Sequence, residues 1–209
     1  MTRRVVAVLV PAPGSPADPD GVTEGLRLAM VEDVYETAAA LELVEPALVV
    51  QADDPAHATV AAMAWPGTPV YELPAPDHPR ESVTVRALRL LADTGAEQVT
   101  LLAGDAPDLP GLLVGKLHRA LGSCDVAVLP SATGGLVAIA TRCPLPDWLT
   151  DDHLDIDGDD VLATLQARAP RRTSVSVGPG WHRVRRAADL TRLDPGLEGW
   201  EVTRELLRR

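Results

Sequence analysis

Phenylalanine is absent from this 209-residue chain, and aromatic residues make up only 3% of it. A core of that composition has to be assembled from Leu, Val and Ala, which suits helices layered on a sheet. Lysine occurs once, at Lys116, and the formal net charge is -11. Such a chain lacks the broad basic face with which proteins displace counterions from nucleic acid or an anionic membrane. No nucleic-acid or membrane partner is therefore expected, and a small molecule or a protein is. Cysteine occurs only at Cys124 and Cys143, with neither metal-ligand spacing nor a disulfide framework, which fits a reducing, cytoplasmic setting. Long hydrophobic runs are also missing. The apolar stretch after Arg3 and Arg4 is broken by Pro11, short of a membrane span or a signal peptide. Abundant Arg, Ala and Pro match the coding bias of a GC-rich bacterium.

What is present alternates. Short β-type apolar runs take turns with longer helical patterns, the signature of an α/β sheet with crossover helices. The length suits a single domain over residues 1–209, with 142–209 less regular in pattern. Strands are expected at residues 5–10 (VVAVLV), 47–51 (ALVVQ), 68–73, 98–103, 125–130 (DVAVLP), 136–141 (LVAIAT) and 173–177. Between the first two, Leu26, Met30, Val34 and Leu41 recur at helical spacing as one apolar face, with Thr23 as N-cap. Asp53 or Asp54 starts a short helix to about Met63. Another helix runs through Val85, Leu88, Leu91 and Ala92 to a stop at Gly95, and Leu113, Leu117, Ala120 and Leu121 mark the next. Helices built on Val161, Leu162, Leu165 and Ala169, on 187–193 and on 200–207 close the chain. The strands 125–130 and 136–141 flank SATGG and can pair antiparallel. A hairpin symmetric about Thr133 and Gly134 sets Cys124 opposite Cys143, as two reduced thiols.

The segment LLAGDAPDLP, residues 101–110, carries the most chemistry. It is a buried strand that ends in an acidic loop and leads into a helix, and open α/β sheets bind ligands at that edge. Asp105 and Asp108 are placed to share a hard cation with phosphate oxygens. They are equally placed to cap the following helix, with Pro110 in its first turn. The paired glycines of SATGG can bring backbone amides against a phosphate, sugar or base edge, and a tight turn needs them in any case. The loop PAPGSPADPDG, residues 11–21, follows the first strand where phosphate-cradling loops sit, yet it has neither GxGxxG nor a Walker pattern and no Lys or Arg. A plain connector is expected there. The acidic run of residues 151–160 fails the EF-hand pattern, because Gln166 stands where a bidentate Glu is needed, and is expected to be solvated with a helix cap. Arg168, Arg171, Arg172, Arg183, Arg185, Arg186 and Arg192 gather positive charge late in the chain, as solvated arginines or as an anion site. His57, His78, His118, His153 and His182 show no ligand spacing, and no serine lies in a nucleophile elbow.

In order and over nearly the whole chain these pieces resemble the GT-A fold of nucleotide-dependent transferases. More specifically they resemble a bacterial GT-A-like family of unsettled function, usually labelled glycosyltransferase, and more distantly the guanylyltransferases of the molybdenum cofactor and of phospholactate. The strongest match is GDAPDLP, then a helix, then DVAVLPSATGGLVAIA, which follows that family's run of an acidic GD-x-P-x-L loop, a strand, a DGG-type turn and a strand. LAMVEDVYETA resembles its first helix, and RVRRAADLTRL stands at its DVDTPEDL-like segment. The resemblance implies a single-domain GT-A-like (Rossmann-like) three-layer α/β sandwich with a mixed, mostly parallel sheet. The departures fall at the chemistry. Basic residues of the first loop are replaced by SPADPDG, the acidic position of the DGG turn by Thr133, and the two aspartates of the DVDT-like segment by Arg183 and Arg185.

Two readings follow. In one the chain is a glycosyl- or nucleotidyltransferase using a nucleoside di- or triphosphate or a nucleotide-sugar. Asp105 is then catalytic and holds Mg2+, Gly104, Asp108, Thr133, Gly134 and Gly135 line the substrate, and Arg183 and Arg185 bind phosphate in part of the metal's place. In the other it is an inactive GT-A-like ligand-binding or protein-interaction module. Either is compatible with a monomer or a homodimer.

Overall fold

The computed structural model describes residues 2–15, 18–76, 81–150 and 154–208; His78, His153 and the first three residues of the 151–160 acidic run lie outside them. Among the described residues seven strands form one sheet: β1 (Arg4–Leu9), β2 (Glu45–Gln51), β3 (Val70–Leu73), β4 (Gln98–Ala103), β5 (Val126–Pro130), β6 (Leu136–Arg142) and β7 (Val175–Val177). Their spatial order is β3-β2-β1-β4-β6-β5-β7, and β6 alone runs against its neighbours. The sheet is therefore mixed and mostly parallel, as the resemblance implied.

Alternation along the strands builds two cores. Val5, Ala7 and Leu9 face one side with Val99 and Leu101, against Val85, Leu88 and Leu91 of α3 (Val83–Ala92) and Val161 and Leu165 of α5 (Val161–Arg168). Val6, Val8 and Leu102 face the other, against Val31, Val34 and Tyr35 of α1 (Glu24–Ala39), Val60 of α2 (His57–Met63) and Val114 and Leu117 of α4 (Gly111–Ala120). The result is a three-layer α/β sandwich, built on Leu, Val and Ala.

Thr23 caps α1 as the spacing implied, its side chain accepting from the Leu26 amide. The single apolar face expected for α1 is a correction. Met30 and Asp33 are buried on the side away from the sheet, where Trp200 and α6 (Glu201–Leu207) cover the helix. Asp33 is fully buried and accepts from the Val202 and Thr203 amides at 3.0 and 2.8 Å, which gives α6 its N-terminal acceptor.

The β5–β6 pairing keeps the expected register, with Val126 opposite Thr141 and Val128 opposite Ile139. Cys124 and Cys143 remain free thiols, because beyond the strand ends they pack on opposite faces of the sheet. After β6 come α5, β7, the short helix expected near 187–193, which is a 3-10 helix at Ala187–Arg192, and α6. Among the described residues no helix is long and apolar enough to cross a membrane.

Candidate functional site

In the strand order the chain runs outward in one direction from β1 to β2 and β3, and in the other from β4. The carboxyl ends of β1 and β4 flank that switch point, where an open α/β sheet leaves a crevice. A cavity of about 280 Å³ lies there, walled by Leu9, Val10, Pro11 and Ala12 after β1, Ala103 and Gly104 after β4, Gln51, Val83, and residues 155–158 with Arg183. It lies just under the roughly 300 Å³ at which small-molecule sites usually begin. Gly104 is demanded by close approach. A Cβ there would lie 2.8 Å from the Leu9 carbonyl oxygen and 2.9 Å from the Val31 side chain.

Beneath the cavity floor lies an ion-pair network. Asp105 is fully buried, and Arg183 is 1% exposed. The Arg183 guanidinium grips Asp105 with both arms, Nε donating to Oδ1 at 2.6 Å and Nη2 to Oδ2 at 2.9 Å. Nη2 also meets Asp157 Oδ1 at 2.6 Å, and Nη1 donates to the Leu136 and Ile156 carbonyls at 3.0 and 3.4 Å. Every guanidinium nitrogen thus meets at least one protein acceptor. Arg185 Nη1 completes the cluster on Asp157 at 2.7 Å. Burial pushes the Asp105 carboxyl above the ordinary carboxylate range, and Arg183 opposes it. The paired short contacts are those of an ionised carboxylate. Burial works against the charge on Arg183, but Asp105 and Asp157 outweigh it and raise its pKa above the usual guanidinium value.

Asp108 has a separate task. Its carboxylate accepts from Trp181 Nε1 at 3.1 Å, from His182 Nε2 at 2.9 Å and from the Asp194 amide at 3.0 Å. The Asp105 carbonyl takes the Val184 amide at 2.7 Å. The acidic loop therefore buckles residues 181–194 onto the end of β4. The capping alternative is corrected, since α4 starts behind Pro110 with no side-chain cap.

The SATGG turn is covered by the protein itself. Thr133 bonds Ser131, side chain to side chain at 2.9 Å. Gly134 and Gly135 have φ of +95° and +74°, and side chains on them would meet Asp159 and the Ile156 carbonyl. Part of the acidic run is likewise turned inward instead of being solvated. Leu154 and Ile156 are buried, Asp155 accepts from Thr84 Oγ1 and the Asp157 amide at 3.1 Å each, and Asp160 offers α5 no side-chain cap. Burial pushes the Asp155 carboxyl up. The sequence reading had no place for Asp155 and Asp157, although buried Leu and Ile alternating with Asp in LDID are a period-2 signal. Arg27 was missed too. From α1 it reaches under the first loop, where its Nη1 donates to the Pro11 carbonyl.

Of the residues singled out, Gly104 and Arg183 line the cavity, Asp105 and Arg185 join Arg183 in the ion-pair network behind it, Gly135 lies against the Arg183 guanidinium, Thr133 and Gly134 adjoin Gly135 in the turn, and Asp108 faces Trp181 and His182. Arg186 and Arg192 each lie 3.7 Å from Asp189, and Arg168, Arg171 and Arg172 are exposed.

By sequence, no family profile and no curated protein matches the chain. By structure, a provisionally assigned nucleotide-diphospho-sugar transferase from Desulfovibrio desulfuricans G20 superposes with a TM-score of 0.69 at 19% identity, covering 100% of this chain and 96% of its own. A 4-diphosphocytidyl-2C-methyl-D-erythritol synthase from Anaerococcus prevotii does so at 0.59 and 14% identity, covering 100% and 97%. The fold is GT-A-like. Rv0371c from Mycobacterium tuberculosis, solved in complex with manganese, superposes with a TM-score of 0.56 at 19% identity over 100% and 99% of the two chains.

The residues at the β4 strand end of this chain do not fit a divalent ion such as the manganese held by that neighbour. Both Asp105 oxygens are engaged by Arg183, and the described residues contain no group of three or more His, Cys, Asp or Glu side chains able to hold a metal.

Proposed function

We propose that this chain is a GT-A-like ligand-binding or protein-interaction module that keeps the crevice of the fold and has lost metal-assisted transfer. The observation that carries this reading is the saturation of Arg183 by Asp105, Asp157 and two carbonyls. Transfer from a nucleoside phosphate depends on a cation free to meet developing charge. Here the Asp105 carboxylate and the Arg183 guanidinium neutralise each other out of reach of solvent. What the crevice offers instead is apolar walls with Ser15, Gln51, Asp155 and Asp157 among them, a lining suited to a small molecule. Two free thiols and the Arg-, Ala- and Pro-rich composition suit the cytoplasm of a bacterium.

The crevice itself favours a second reading, a glycosyl- or nucleotidyltransferase taking a nucleoside di- or triphosphate or a nucleotide-sugar. A CMP-2-keto-3-deoxy-manno-octonic acid synthetase solved with CTP shares the fold at a TM-score of 0.54, 15% identity and 99% mutual coverage. In that reading Gly104, Thr133, Gly134 and Gly135 face the donor, Asp108 supports the loop, and Asp105 takes up Mg2+ once Arg183 and Arg185 have turned to the phosphates. Product analysis separates the two. Incubation with nucleoside triphosphates or nucleotide-sugars, Mg2+ and sugar phosphates is expected to leave the donors intact; Mg2+-dependent product lost in Asp105→Asn would establish the transferase.

A further inference from the structure

Four charged side chains pair directly under the crevice floor, with Asp155 beside them. Asp105 and Asp157 supply two negative charges, Arg183 and Arg185 two positive ones, with every N–O separation among the pairs between 2.6 and 2.9 Å. An added dication would therefore have to displace a guanidinium from each of these two carboxylates. It also lacks room. Arg183 and Asp105 are 1% and 0% exposed, and Gly135 and the Ile156 carbonyl close over the guanidinium. The arginine is held in place by more than its own head group. Its neighbour Val184 donates its amide to the Asp105 carbonyl at 2.7 Å, and the Arg185 amide donates to Asp189 at 3.2 Å, so the backbone on which Arg183 stands is pinned on its C-terminal side.

We infer that the Arg183 guanidinium is the resident cation of the β4 strand end, a covalently attached occupant of the space between Asp105 and Asp157 that excludes a divalent ion. This rests on the non-catalytic reading of the crevice and extends it by naming what holds the acidic loop, the 154–158 loop and the 181–194 segment together. It also carries a consequence for the vacated site. Asp105 and Asp157 both direct oxygens at the same guanidinium, so truncating Arg183 leaves two carboxylates converging on one space, a donor set of the kind hard cations take.

The test is manganese titration of the full chain followed by amide NMR, since a bound Mn2+ broadens nearby resonances. In the wild type the Gly104, Asp105 and Gly135 amides are expected to keep their intensity at stoichiometric Mn2+. In Arg183→Ala the same amides are expected to broaden, and the unfolding temperature to rise with Mn2+ concentration; Arg183→Lys, which restores a cation, is expected to behave like the wild type. Selective broadening of those amides in the wild type would overturn the inference, and that spectrum decides even where Arg183→Ala does not fold. A folded Arg183→Ala chain with no response to Mn2+ would overturn it as well. Turnover of a nucleotide without such broadening would refute the non-catalytic reading and leave the resident cation standing.

Discussion

Arg183 is a large side chain buried with a full complement of acceptors, and its removal leaves Asp105 without a counter-charge. Breaking a buried pair from one side costs about 3–5 kcal/mol, far more than the pair contributes over an apolar replacement. Arg183→Ala without added metal is accordingly expected to lose stability on that scale in urea unfolding, while Arg172→Ala, at an exposed site, stays within about 0.5 kcal/mol of wild type. Two other titrating residues give a pH signature of opposite signs. Burial, chiefly, raises Asp33 to about 6 from 3.8, so its folded form binds a proton that the unfolded chain releases, and its contribution is lost as pH rises through that window. Burial lowers half-buried His118 to about 4 from 6.5, so its contribution is present above the unfolded value and lost as pH falls. Between about pH 4 and 6 the two slopes oppose each other, each at most about 1.4 kcal/mol per pH unit before solvent screening. Relative to wild type, His118→Gln should gain stability toward acid and Asp33→Asn toward neutral pH, measured as urea midpoints across that range. A pH-independent offset in both variants would show that neither group is linked to folding.

At the scale of elements, the buckle formed by Asp108 is the exposed prediction. Its carboxylate fastens Trp181, His182 and the Asp194 amide, so Asp108→Ala should cost about 2–4 kcal/mol and raise amide exchange across residues 181–194 while β1 and β4 stay protected. Equal acceleration throughout would contradict a local buckle. Much of this architecture was legible beforehand because it is local. The strand at 98–103 is residue for residue the observed β4, and Thr23 caps α1 as its spacing implied. The hairpin register around Thr133 and Gly134 followed from symmetry alone. What escaped is long-range. Nothing near Asp33 announces that α6 will cover it, and an aspartate in an acidic run shows its inward direction only once Ile156 has docked under Gly135. Likewise the sequence shows the two arginines of the DVDT-like segment only as absent carboxylates. Their partnership with Asp157, 26 residues before Arg183 in the chain, was not legible, because it depends on how two loops meet over a sheet edge.

For the whole molecule, the fold retains the crevice at the β1/β4 switch point and fills the adjoining acidic position with its own cation. On the proposed reading a site so arranged binds without polarising a phosphate, unlike a metal-assisted transferase. The measurement that bears most directly on this is thermal unfolding of the full chain against a panel of nucleoside triphosphates and nucleotide-sugars, each with and without Mg2+. Any ligand that binds the folded state raises the unfolding temperature with concentration. The expected result is that no nucleotide gives a stabilisation that depends on Mg2+. A nucleotide that stabilises the wild type only with Mg2+, and loses that effect in Asp105→Asn, would contradict the account.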